Sequence, residues 1–380
     1  MPCGHMKIRC LTSSRAANIA LLVLVAIACA SCVLHGRSPV SHATWPPFER
    51  ATSLIHYRYL ADAIALSSDN KGTVWLLSGF KREYLTRISP VSSTSGTTSI
   101  PIPDDLALRI AWNQKGIAWL WDPWRRHLTV IDSRGNAHIV TPKYPVDTVL
   151  DLAVARDGKA WFTRSLSVGR SATDQMGTLD LNGNVSFATL PVHAAPLLFD
   201  KSDRLWFVYN PNWRQSSIDP KISARVDLGG VGRMSTDRSV QYIPSERYAI
   251  GTRNGPESVM ALSSDGSMWF LSFCGEIGRI TPQGQLRVDR LPDTGCPRAI
   301  AADNRDGVWL LVHYFTGRLK EALAHIDDRG RIRLFRISGV GTMRSIAVDR
   351  NGDVWVLSFG ELAKFIPPRT LRYRMVVPGK

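Results

Sequence analysis

Cysteine is scarce in this 380-residue chain: of six, Cys3, Cys10, Cys29 and Cys32 fall near the N-terminus, leaving Cys274 and Cys296 for the rest. Two body cysteines in an oxidising compartment predict one disulfide, with two buried thiols as the alternative. The nine histidines never fall at zinc-ligand spacing, and neither a G-x-S-x-G elbow nor a P-loop occurs. No metal and no cofactor is therefore expected from motifs. Acidic residues are outnumbered, 32 against 47 Lys and Arg, for a net charge of +15. The basic residues are spread evenly, so no nucleic-acid partner is expected. An anionic small molecule or envelope component suits the charge better. A hydrophobic fraction of 44% supplies a substantial core and excludes global disorder.

Long apolar runs are missing except "AANIALLVLVAIACASCVL" at 16–34, preceded by Lys7, Arg9 and Arg15. A basic flank followed by an apolar run has the layout of an export signal or anchor over residues 1–37. Three outcomes stay open. "AIAC" makes Cys29 a lipidation candidate, "ACA" is a small-residue cleavage site, and 19 residues suffice to span a bilayer. Each exports the body, because the positive flank stays inside. The expected location is the bacterial cell envelope on its periplasmic side, tethered to the membrane through this segment, with secretion as the alternative.

What the chain has in abundance is a repeat. Trp75, Trp119, Trp161, Trp206, Trp269, Trp309 and Trp355 each close a segment such as "IAVDRNGDVW", at spacings of 44, 42, 45, 63, 40 and 46 residues. Each copy reads as four short strands. A run before an Asn/Asp/Gly turn is followed by the Trp-led run, then a third run such as "IGRIT" and a fourth such as "GQLRVDRL". Four strands per copy, seven times over, predict an all-β seven-bladed β-propeller of four antiparallel strands per blade, spanning 60–377. Residues 38–59 read as a linker and a closing strand. The 63-residue spacing predicts an insertion at about 209–258, with "ISARVDL" and "RSVQYIP" as its strands. A monomer is expected. The repeated Trp is read as a wedge packed between neighbouring blades.

The pattern "IA-x-D-x-x-G-x-VW…IGRIT-x-x-G-x-L…LP" resembles the streptogramin (virginiamycin B) lyase family of seven-bladed propellers, most strongly from residue 256 on. The resemblance implies a magnesium-assisted eliminative opening of a cyclic peptide lactone. It places catalytic His residues in turns leading into first strands, and a Glu three residues after a late-blade Trp. Here the His positions hold Arg298, Arg344 and Ser258, and the Glu positions hold Val312 and Ser358. An Arg cannot act as a base at neutral pH and repels a cation. Magnesium is thus expected only if lyase-like activity is retained.

Strand order puts the loops between second and third strands on the same face as the loops between blades. That top face collects Cys274, Cys296, His193, Glu257, Ser258, Arg298 and Arg344. Arg298 and Arg344, at equivalent positions one blade apart, form a candidate site for a carboxylate or phosphate. His193 and Glu257 are the candidate bases if the protein is an enzyme. "WLWDPWRRH" places Trp121, Trp124, Arg125 and Arg126 on a second-to-third-strand loop of the second blade.

Overall fold

A computed structural model describes residues 49–368 apart from 51–53, 61–62, 70, 79–83, 89–97, 102–108, 122–127, 145, 147–148, 169–170, 190–192, 211–229, 236–237, 245–258, 272–275, 292–294, 304, 306, 315–320, 338–339 and 359. The N-terminal apolar run and Cys29 lie outside the described residues. Among those described, no helix is long and apolar enough to cross a membrane.

The turn chemistry creates the strands. In blades one, two, five and seven an Asp, Asn or Ser opens the first hairpin, and a glycine three residues on takes a positive φ, as at Gly352 (83°). Asp349 is representative: its Oδ1 accepts the N–H groups of Asn351 and Asp353 at 2.8 and 3.0 Å, and its Oδ2 accepts Trp355 Nε1–H at 3.0 Å. One side chain thereby closes the turn and orients the Trp six residues on. Trp75 and Trp206 use Asp69 and Asp200 in the same way, and Trp269 uses Ser263. In blade four Asp203 takes the glycine's place at φ 59°, and its Oδ1 accepts Arg156 N–H of blade three.

The strands form seven four-stranded antiparallel sheets, one per blade, and so an all-β seven-bladed propeller. Blade six is made of Gly295–Ala302, Val308–Tyr314, Glu321–Ile326 and Ile332–Arg336, with Glu49–Arg50 pairing in parallel outside it. Blade seven is made of Met343–Val348, Val354–Ser358 and Gly360–Phe365, and its outermost strand is Leu54–Leu60 from the other end of the chain. Innermost strands of neighbouring blades touch all the way round, including blade seven against blade one.

Alternation sends odd and even residues of each strand to opposite blade interfaces. Each repeated Trp packs into an apolar cluster shared with the next blade. Trp269 lies with Ile300, Val308 and Leu310 of blade six, and Trp309 with Ile346, Val348 and Val356 of blade seven. Trp355 lies with Leu66, Val74 and Leu76 of blade one, where the ring closes. Trp119, Trp206, Trp269, Trp309 and Trp355 are fully buried, whereas Trp75 and Trp161 are half-buried.

One local expectation changes, and one falls partly outside the described residues. In blade four the third and fourth strands are Gly230–Met234 and Val240–Pro244. The expected strand "RSVQYIP" thus contains the fourth strand, whereas "ISARVDL" lies outside the described residues. Trp121 is not on a loop: it ends the strand Ala118–Trp121 and is 2% exposed, packed in the interface between blades two and three. Trp124, Arg125 and Arg126 lie outside the described residues.

Candidate functional site

The first strands line a central cavity of about 430 Å³, with walls mostly of small and aliphatic side chains such as Ala65, Ala111, Ala153, Ala261 and Ala301. Polar residues line it as well, and several of them bond to the neighbouring blade. Asp151 Oδ2 accepts Leu197 N–H of blade four at 2.6 Å, and Ser345 Oγ accepts Leu66 N–H of blade one at 3.2 Å. At the hairpin end of the first strands, Asn113 Nδ2 donates to Ala155 O at 3.1 Å.

The opposite end of the first strands differs. Register shifts interrupt five of them, between Ala63 and Ala65, Val149 and Asp151, Ala194 and Leu197, Pro297 and Ala299, and Met343 and Ser345. A bulge adds a residue that the partner strand does not match and re-aims its side chain. The skipped residues of blades six and seven are Arg298 and Arg344, each 11 positions before its Trp (309 − 298 and 355 − 344). Both side chains are half-buried. The repeat thus places two guanidinium groups at one structural position on adjacent blades, at the end away from the hairpins. Ser258 is the corresponding residue of blade five and lies outside the described residues, as do Glu257 and Cys274. His193 opens the first strand of blade four, with its backbone paired to Asn210. It therefore sits on a different blade from either Arg. Cys296 is buried at 8% exposure in the first strand of blade six, two residues from Arg298.

The positions corresponding to the expected Glu are closed. Val312 is 2% exposed in the apolar cluster between blades five and six. Ser358 is 1% exposed, and its hydroxyl donates to Glu361 O at 3.3 Å. Two guanidinium groups, a valine and a hydroxyl already engaged do not make a donor set for a divalent cation. Among the described residues no three His, Cys, Asp or Glu side chains are grouped to hold a metal.

Sequence reasoning missed an acid–base pair beside the two Arg. His313 is the penultimate residue of the second strand of blade six and Glu321 begins the third; His313 Nδ1 lies 3.3 Å from Glu321 Oε1. Glu321 Oε2 accepts Met343 N–H of blade seven at 2.5 Å, one residue before Arg344. The signal was present. His313 stands four residues after its Trp, where the other copies have Gly79, Pro123, Ser165, Asn210, Phe273 and Phe359.

A second pair, His325 Nε2 and Asp303 Oδ2 at 2.6 Å, is buried beside Trp309, with ring centroids 4.6 Å apart. Burial works to raise the Asp303 carboxyl, but the His325 contact and the Gly307 and Arg305 N–H groups outweigh it and hold it below the ordinary value. Enclosed near the hairpin, this pair does structural work.

The Virginiamycin B lyase family model matches residues 57–365. A virginiamycin B lyase from Nocardia farcinica is 27% identical over 184 residues, 48% of this chain and 53% of that protein. The chain thus spans about half the length of the curated relative it matches. Among solved structures, a streptogramin B lyase superposes with a TM-score of 0.61 at 16% identity, covering 82% of this chain and 96% of its own. A catalytically inactive virginiamycin B lyase from Staphylococcus aureus with quinupristin gives 0.57 at 16% identity, covering 82% and 98%. A YCF48 structure bound to D1 peptide gives 0.52 at 13% identity, covering 86% and 98%.

Proposed function

The chain belongs to the virginiamycin B lyase family, and from that premise we propose that it is an exported, membrane-tethered binding scaffold at the cell envelope. Its ligand carries a carboxylate or phosphate and docks at the bulged ends of blades six and seven. The observation behind this reading is the pair of equivalent bulges carrying Arg298 and Arg344. Where the family resemblance calls for bases, this chain has permanent cations with planar donor forks, which suit an oxyanion. Peptide binding by the YCF48 propeller is consistent with such a use of the fold. The N-terminal apolar run supplies the export and tether.

Calorimetric titration with inorganic phosphate and with citrate tests the proposal. Arg298→Ala and Arg344→Ala should each weaken binding about ten-fold or more, since a hydrogen bond to a charged group contributes about 1.5–3 kcal/mol. Unchanged affinity in both variants would remove the site. Magnesium-dependent opening of a cyclic peptide lactone, lost in His193→Ala or Glu257→Ala, would replace the scaffold reading with a divergent lyase.

A further inference from the structure

The end of blade six that bears Arg298 also carries three side chains that anion binding does not use. Cys296 on the first strand is the Cα partner of His313 on the second, and His313 is the Cα partner of Glu321 on the third. Directly opposed residues in an antiparallel pair point to one face, with Cβ atoms about 4.5–5.5 Å apart. That face is turned to blade seven, because Leu311 and Trp309, two and four residues before His313, pack there. A thiol, an imidazole and a carboxylate therefore stand in a row across three strands.

The row is ordered from its acidic end. Met343 N–H fixes Glu321 Oε2, and Glu321 Oε1 meets His313 Nδ1. On the side of His313 away from Glu321, its neighbour across the sheet is Cys296 of the first strand. One further pair, Gly295 with Tyr314, separates Cys296 and His313 from the end of the sheet. The His313 and Glu321 side chains keep 20% and 12% of their surface exposed, and Cys296 keeps 8%. A nucleophile, a base within reach of it, and a third group orienting the base is the general arrangement of covalent catalysis.

We propose that Cys296, His313 and Glu321 form a thiol site that hydrolyses activated carboxylic esters. His313 Nε2 takes the thiol proton as the Cys296 sulfur attacks the ester carbonyl carbon. The C–S bond forms, the C–O bond breaks, and the leaving alkoxide takes the proton from His313. Water then gives a proton to His313 and attacks the thioester carbonyl. The C–S bond breaks, and the proton returns to sulfur. Ester and water become acid and alcohol, with no change of oxidation state. Glu321 is a positioning residue, which holds Nδ1 so that Nε2 faces the thiol. The site needs no anionic group on its substrate, so it stands or falls separately from the Arg298/Arg344 reading.

Two measurements on the full chain test it. The first is the pH dependence of iodoacetamide alkylation at Cys296, read by peptide mass spectrometry. An imidazole-paired thiol titrates at about 7.5 or below, against about 8.5 for an unassisted one. The wild type should show the lower midpoint, His313→Gln should return it to about 8.5 or above, and Glu321→Gln should fall between them. The second is p-nitrophenyl acetate turnover, which should give a burst with acetyl carried on Cys296 and lose it in Cys296→Ser. An ordinary thiol midpoint in the wild type, no acetylation, or a Cys274–Cys296 disulfide in the purified protein would each overturn the proposal. If His313→Gln fails to fold, the wild-type profile and the acetylation site decide alone.

Discussion

Replacing Asp349 by Asn changes one atom that matters. Asp349 is fully buried in the first hairpin of blade seven, and its Oδ2 accepts Trp355 Nε1–H where that Trp seals blade seven against blade one. Asp349→Asn keeps Oδ1 and both turn hydrogen bonds, but sets an amide N–H₂ against the indole N–H. A buried donor left without an acceptor costs about 1–3 kcal/mol, and here two donors face each other. Relief of a buried charge offsets part of this, since Lys364 Nζ, 3.8 Å away, keeps Asp353 at 2.6 Å. We expect a net loss of about 2 kcal/mol for Asp349→Asn and about 3–5 kcal/mol for Asp349→Ala, which also removes both turn bonds. The chain contains its own control. Asn113 occupies this position in blade two and keeps its bonds to the Lys115 and Ile117 N–H groups, while Trp119 Nε1 donates instead to Gly158 O of blade three at 3.0 Å. Asn is accommodated there because the indole has another acceptor. Urea unfolding should show the midpoint falling at constant slope. If Asp349→Asn is within 0.5 kcal/mol of wild type, or as damaging as Asp349→Ala, the role given to Oδ2 is wrong.

Two further outcomes follow from the same geometry. Burial works to raise the Asp265 carboxyl, but the Ser263 and Ser267 hydroxyls, Ser267 N–H and Arg279 outweigh it and lower it from 3.8 to about 2. A depressed carboxyl contributes stability that is present above its unfolded value and lost as pH falls through its folded value. The urea midpoint should therefore decline between pH 4 and pH 2, with a shallower decline in Asp265→Asn; identical slopes would refute this. Gly278 faces the Phe270 ring across the sheet, and an added Cβ would clash with Phe270 Cζ. Gly278→Ala should cost about 1–3 kcal/mol by overpacking, and a second change, Phe270→Leu, should recover part of it in a double-mutant cycle.

The seven Trp residues and the short turns before them made blade number and strand order legible, because each turn closes with local hydrogen bonds. Blade four was less legible, since its third strand, "GVGRM", is short and glycine-rich. Trp121 was misplaced because the apparent loop "WLWDPWRRH" begins while its strand is still buried. Arg298 and Arg344 could be found by counting back from Trp309 and Trp355, a distance the repeat fixes.

The sequence by itself determined the ring of blades, because local turns, alternation and a repeated wedge suffice to specify each sheet and its neighbour. Tertiary structure decided what the exceptional residues meet. That Arg298 and Arg344 project from bulges depends on how each first strand is held by its partner. Cys296, which the sequence suggested pairing with Cys274, stands opposite His313, and His313 opposite Glu321, across separations of 17 and 8 residues. Strand register sets such meetings, and register is a property of the folded sheet rather than of any one segment.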